Sequence, residues 1–164
     1  MKKSILYLTL LLVVATVTNA APRFGLIAEQ TKGAGVFVTD DMYNAQLTVG
    51  SASADASGTT DDATKVSLGA NYKVALDSVT ALTAGLTYES ISGDFDENNE
   101  AIDGETKIAV SVGFERALSS NLVLTTQADL YSSATKEDYG GLSGNDVDVT
   151  RIFSNGRVGV AYLF

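Results

Sequence analysis

Along most of this chain apolar and polar residues alternate one for one. From Lys65 to Lys73 the even positions Val66, Leu68, Ala70 and Tyr72 are apolar, and the odd ones are polar or glycine. The same period of two runs through Thr83–Glu89 and through Lys107–Glu115. It recurs from Tyr43 to Gly50, from Arg157 to Phe164, and more weakly from Leu122 to Leu130. A period of two places successive side chains on opposite faces of an extended strand, whereas a helix would need a period near 3.6. Two shorter segments, Phe24–Gln30 and Gly35–Thr39 joined around Lys32-Gly33, complete a set of eight strands.

The connections alternate in length. Those at Asp40-Asp41, Ala75–Ser78 and Arg116–Ser120 are short; Ala54–Asp62 is of medium length; Ile91–Glu105 and Ser133–Val147 are long. One rim therefore carries tight turns and the other carries loops, as in a meander of antiparallel strands. Eight such strands can close into an up-and-down barrel, which removes the exposed sheet edges. The expected fold is an all-β, eight-stranded antiparallel up-and-down β-barrel, which residue type makes a transmembrane β-barrel.

Periodicity does not say which face points inward, but residue type does. Phe24, Tyr43, Tyr72, Phe114, Tyr162 and Phe164 all belong to the apolar set and all lie near the short-turn rim. Such sorting suits a membrane interface, where aromatic rings collect, and a soluble core has no cause to produce it. The opposite face carries Gly25, Gly50, Gly69, Gly85, Gly113 and Gly159 among small polar residues. With them come Glu29, Lys65, Lys73, Glu89, Lys107, Glu115, Asp129 and Arg157. Glycine weakens a strand unless space is scarce, and acids mixed with bases can neutralise one another in a narrow lumen. The sequence thus expects an aromatic girdle facing membrane and a lumen filled by four acids and four bases.

Composition narrows the function. The 164 residues include no histidine and no cysteine, so no Ser-His-Asp triad, Cys-His pair or Cys/His zinc site can be built. The expectation is a protein without catalysis and without a cofactor. A net charge of -9 makes a poor nucleic-acid binder. At the start, Lys2 and Lys3 precede an apolar run from Ile5 to Val17, and Thr18-Asn19-Ala20 supplies small residues for a peptidase. Residues 1–20 are read as a cleaved signal peptide, since the run is shorter than the roughly 20 residues a spanning helix needs. Residues 21–164 are read as the barrel domain.

A signal peptide, alternating strands, short turns on one rim and a last strand ending in aromatic-x-Phe together resemble the small eight-stranded bacterial outer-membrane barrels. The pattern is similar to the OmpA and OmpX transmembrane domains. In that family the last strand is read by the barrel-assembly machinery, which the resemblance assigns here to Val158, Val160, Tyr162 and Phe164. It also implies an outer-membrane location, lipid as the partner of the apolar face, and a monomer. The resemblance extends only to the barrel, with no peptidoglycan-binding domain after it.

Two loop features remain. Asp94, Asp96, Asn98, Glu100 and Glu105 approximate the spacing of a calcium-binding loop, although Asn99 stands where glycine is usual and the flanks read as strands. A hydrated acidic loop explains the same residues. Tyr139-Gly140-Gly141-Leu142 reads as a loop tip. Asp40-Asp41 reads as a turn in which aspartate accepts backbone hydrogen bonds. The leading function is a structural surface anchor with acidic outer loops. A loop-mediated adhesin or recognition protein, a narrow channel, and a soluble lipocalin-like ligand carrier are the alternatives.

Overall fold

A computed structural model describes residues 21–56, 59–92, 105–136 and 147–164. Its strands are β1 (Arg23–Glu29), β2 (Gly33–Thr39), β3 (Tyr43–Ala56), β4 (Thr59–Ala75), β5 (Thr80–Ser92), β6 (Glu105–Ala117), β7 (Leu122–Lys136), β8 (Val147–Ile152) and β9 (Gly156–Leu163). Each pairs antiparallel with its sequence neighbour from β1 to β8, and β9 pairs with both β7 and β1. The β1–β9 register, from Gly25↔Leu163 to Glu29↔Gly159, closes the sheet on itself. β8 and β9 run along the upper and lower parts of β7 and are the two halves of one stave, so the wall has eight positions.

The three short turns repeat one device. Asp40 Oδ1 accepts from the N–H groups of Met42 and Tyr43, at 2.6 and 2.7 Å. Asp77 Oδ1 accepts from Val79 and Thr80, at 2.8 and 2.7 Å. Ser119 Oγ accepts from Asn121 and Leu122, at 3.3 and 3.1 Å. A short oxygen-bearing side chain takes the place of the missing ladder partners in each turn, which lets the chain reverse within a few residues. At Asp77 the Val79 N–H above all, with Thr80 adding to it, holds the carboxyl below its ordinary value.

Two differences from the sequence reading have physical causes. The segment read as a medium loop, Ala54–Asp62, is largely strand, because β3 and β4 stay paired from Tyr43↔Tyr72 up to Ala56↔Thr59. Backbone pairing extends this hairpin where alternation of apolar groups has ended. The loop read from Ser133 likewise gives way to β7, which continues to Lys136. As the sequence reading expects, β1 and β2 are short, with seven residues each. A strand of that length tilted by ~40° rises about 18 Å, less than the apolar band of about 25 Å. Above their turn, β3 beyond Val49 pairs only with β4 and β8 pairs only with β7 among the described residues. The barrel is closed below and notched above. Residues 1–20, the loop containing Asp94, Asp96, Asn98 and Glu100, and Tyr139–Leu142 lie outside the described residues, while Glu105 begins β6.

Candidate functional site

The functional question concerns the lumen, and its geometry follows from the pleat. Inward positions carry the buried polar residues: Glu29, Lys73, Glu89, Glu115, Asp129 and Arg157 are all less than a tenth exposed. Lys65 and Lys107 join them with half-buried side chains. Outward positions carry the apolar set, with Phe24, Tyr72, Phe114, Val158, Val160, Tyr162 and Phe164 all exposed. Tyr43 is half-buried, its ring edge-on to Tyr72 at 5.5 Å between centroids.

The inward charges form separate clusters. Near the short-turn rim, Lys73 Nζ meets Glu115 Oε1 at 2.5 Å and donates to Thr39 Oγ1 at 2.8 Å. Asn44 donates to the other Glu115 oxygen at 2.7 Å, and Asn71 donates to Asn44. This cluster floors a cavity of about 380 Å³ that opens between the short turns, with Asp40, Asp77 and Thr80 in its lining. Higher up, Arg157 is fixed on three sides. It donates to Asp129 Oδ1 at 2.7 Å, to Gln127 at 2.8 Å and to Thr87 on the far wall at 2.8 Å. Lys107 meets the second Asp129 oxygen at 2.8 Å. Attraction and charge-assisted hydrogen bonds within each pair offset part of what the charges lose on leaving water.

Sequence reasoning placed all eight of these charges on one face but missed Lys32. Its ammonium folds inward from the β1–β2 turn, 4% exposed, to Ser67 Oγ at 2.7 Å and Glu89 at 3.3 Å. Lys65 reaches the same carboxylate at 3.3 Å. The expected balance of four acids and four bases becomes four against five. Glu89 and Asp129 each hold two cations, while Glu29 accepts from Gln46 at 2.9 Å and has no ion pair among the described residues. Gly33, with φ of 87°, permits the tight turn that turns Lys32 inward.

The lumen also holds an apolar cluster that the sequence reading passed over: Ile27, Phe37, Val123, Ala161 and Leu163, all buried. Phe37 lies between exposed Val36 and buried Val38, where three consecutive apolar residues conceal which one points inward. Between Lys32, Thr87, Glu89 and Asp129 no space is left for a water molecule. Inward glycines make this density attainable. Gly69 lies under the Gln46 side chain, and Gly159 lies under Thr125 and Glu29. The arrangement is a packed polar interior inside an apolar exterior, the reverse of a water-soluble protein.

No family model matches the chain, and no curated protein matches it. Among solved structures it is similar to outer membrane protein H (OprH) from P. aeruginosa, with a TM-score of 0.58 and 15% identity over 87% of this chain and 99% of that one. A major outer membrane protein from Thermus thermophilus aligns at TM-score 0.44 and 18% identity, over 88% of this chain and 100% of that chain. Acinetobacter baumannii CarO aligns at 0.40 and 12%, over 87% and 97%. By its strand order, its closure and its likeness to OprH, this chain has the fold of the small eight-stranded outer-membrane β-barrels.

Proposed function

We propose that the chain is an integral outer-membrane protein whose barrel is a structural anchor, with a lumen closed by its own side chains, outward loops at the surface and no catalysis. The observation that carries this reading is the inversion of polarity across the wall. Arg157 is 4% exposed, whereas Tyr162 and Phe164 on the same strand run are 57% and 72% exposed. An exterior of this kind is costly in water and favourable in hydrocarbon. A carrier of apolar ligands would need an apolar cavity, and the interior here is filled by ion pairs and a close-packed apolar cluster. A general diffusion pore is disfavoured by the same filling. In detergent or lipid the folded protein is expected to migrate differently before and after boiling and to give no stable conductance steps in planar bilayers. Tyr72 and Tyr162 should be quenched by lipids brominated along their acyl chains. Folding as a monomer in plain buffer, with those tyrosines shielded from aqueous quenchers, would overturn the reading.

The terminal strand is proposed to carry the assembly signal, as the resemblance implies for Val158, Val160, Tyr162 and Phe164. The Phe164 backbone is tied to the barrel, its N–H donating to Phe24 O at 3.0 Å, but its ring is exposed. Phe164→Ala is therefore expected to lower the amount of barrel inserted in cells several-fold while leaving folding of the purified chain into detergent unchanged. Equal losses in both settings would mean that the ring acts in folding and is not a signal.

A further inference from the structure

Two irregularities of the wall lie against each other. Among the described strand pairs the one register shift falls in β7, where Val110↔Tyr131 is followed by Ser111↔Asp129 and Leu130 is the extra residue. Beside it, between β8 and β9, Phe153 takes φ of 53°, the left-handed region that a bulky side chain rarely enters. The two are laced together. Phe153 N–H donates to Leu130 O at 3.1 Å, Ser154 N–H to Asp129 O at 3.2 Å, and Asp129 N–H to Asn155 O at 2.8 Å. Paired bulges and strained residues of this kind re-aim side chains and cluster at functional sites.

Here they bring Ser154 and Asn155 to a cavity of about 80 Å³, together with Glu89, Lys107, Ser132 and Arg151. Room of this size suits a group of a few heavy atoms. Its chemistry is set by what is already satisfied. Glu89 is neutralised by Lys32 and Lys65. Lys107 and Arg157 share the single carboxylate of Asp129. With the Asn155 amide turned so that its oxygen accepts from Lys107 at 2.5 Å and its nitrogen donates to Ser154 O at 2.8 Å, Lys107 still has one proton to give. Ser132 and Ser154 share one hydroxyl bond at 2.9 Å, which leaves a second hydroxyl proton. Arg151 is exposed and has no hydrogen bond or ion pair among the described residues, so its planar fork of donors is open. Among the described residues that line this cavity or are linked to its lining by ion pairs, five cations face the two carboxylates of Glu89 and Asp129, and the unused groups are donors.

We propose that this cavity is a binding site for a small tetrahedral oxyanion, a phosphate or sulfate group, with Arg151 as the principal contact and Lys107 and the Ser132–Ser154 pair completing it. Among the described residues the notch beside β8 leaves the cavity open from the side, so the group can arrive as a free ion or on a lipid headgroup. This goes beyond the anchoring role.

Titration of the folded protein in zwitterionic detergent with inorganic phosphate and with sulfate, followed by calorimetry and amide NMR, tests the site. Saturable binding is expected, with shifts concentrated at residues 132 and 151–155 and none produced by chloride at equal ionic strength. Arg151→Gln, an exposed change that leaves the ion network intact, should weaken binding about tenfold or more, as loss of a charge-assisted contact requires. Arg23→Gln, on the opposite rim, should leave it unchanged. In vesicles of phosphatidylcholine with added phosphatidic acid, competition with inorganic phosphate would identify a lipid headgroup as the source, and its lack a free ion. Unsaturating shifts spread over all the cations, or equal binding by the Arg151→Gln protein, would overturn the site.

Discussion

Asp129→Ala is expected to cost about 3–5 kcal/mol of unfolding free energy, the range for removing one partner of a buried charge cluster. Asp129 is 1% exposed and, among the described residues, is the only carboxylate in contact with both Arg157 and Lys107. Its loss strands two cations inside the barrel, with Gln127 and Thr87 left to solvate one of them. Urea titration of the protein in lipid vesicles measures the effect, with circular dichroism as the probe because the chain has no tryptophan. Adding Arg157→Met and Lys107→Met to the same protein should recover much of the loss, since a cluster replaced whole leaves no charge unpaired. A single-variant loss below about 1 kcal/mol would mean that the cluster is solvated like a surface pair.

What could be read from the sequence, and what could not, divides along physical lines. Alternation fixed the inward set because pleating is obligatory: once Lys65, Glu89, Lys107 and Arg157 share a parity, closure turns them all toward one axis. Parity fails wherever the ladder is irregular. The extra residue at Leu130 shifts the inward positions from Asp129 to Ser132, so Tyr131 turns outward and the kink at Phe153–Asn155 has no signature in alternation. Lys32 was hidden for another reason. A lysine beside glycine reads as a solvated turn, and only the shortness of β1 and β2 places that turn where its ammonium meets Glu89 instead of water. The upper part of β3 and β4 has no strand signature in the sequence because pairing continues there without an apolar face. The aromatic positions near the short turns are legible from alternation and turn spacing, yet Tyr131 and Phe153, exposed toward the other rim, are not.

The inward glycines separate two kinds of crowding, and substituting them distinguishes the kinds by outcome. A methyl group on Gly113 would stand 1.8 Å from the carbonyl oxygen of Thr126 and 2.8 Å from the Cα of Gln127. Both obstacles are backbone of the neighbouring strand, so relief requires the β6–β7 ladder itself to move. That ladder holds Gln127 and Asp129, which position Arg157. Gly113→Ala is therefore expected to cost about 3 kcal/mol, the upper part of the range for overpacking. On Gly69 the nearest atom to the same methyl is Gln46 Cγ at 3.3 Å, part of a side chain that can shift by a few tenths of an ångström. Gly69→Ala also removes freedom from the unfolded chain, which favours folding by about 0.4–1 kcal/mol, so its net effect should lie near zero. Both are read from the same urea titrations. If the two substitutions cost the same, glycine would be acting only through strand propensity; a wide gap would establish that these residues are present because adjacent staves approach too closely for a side chain.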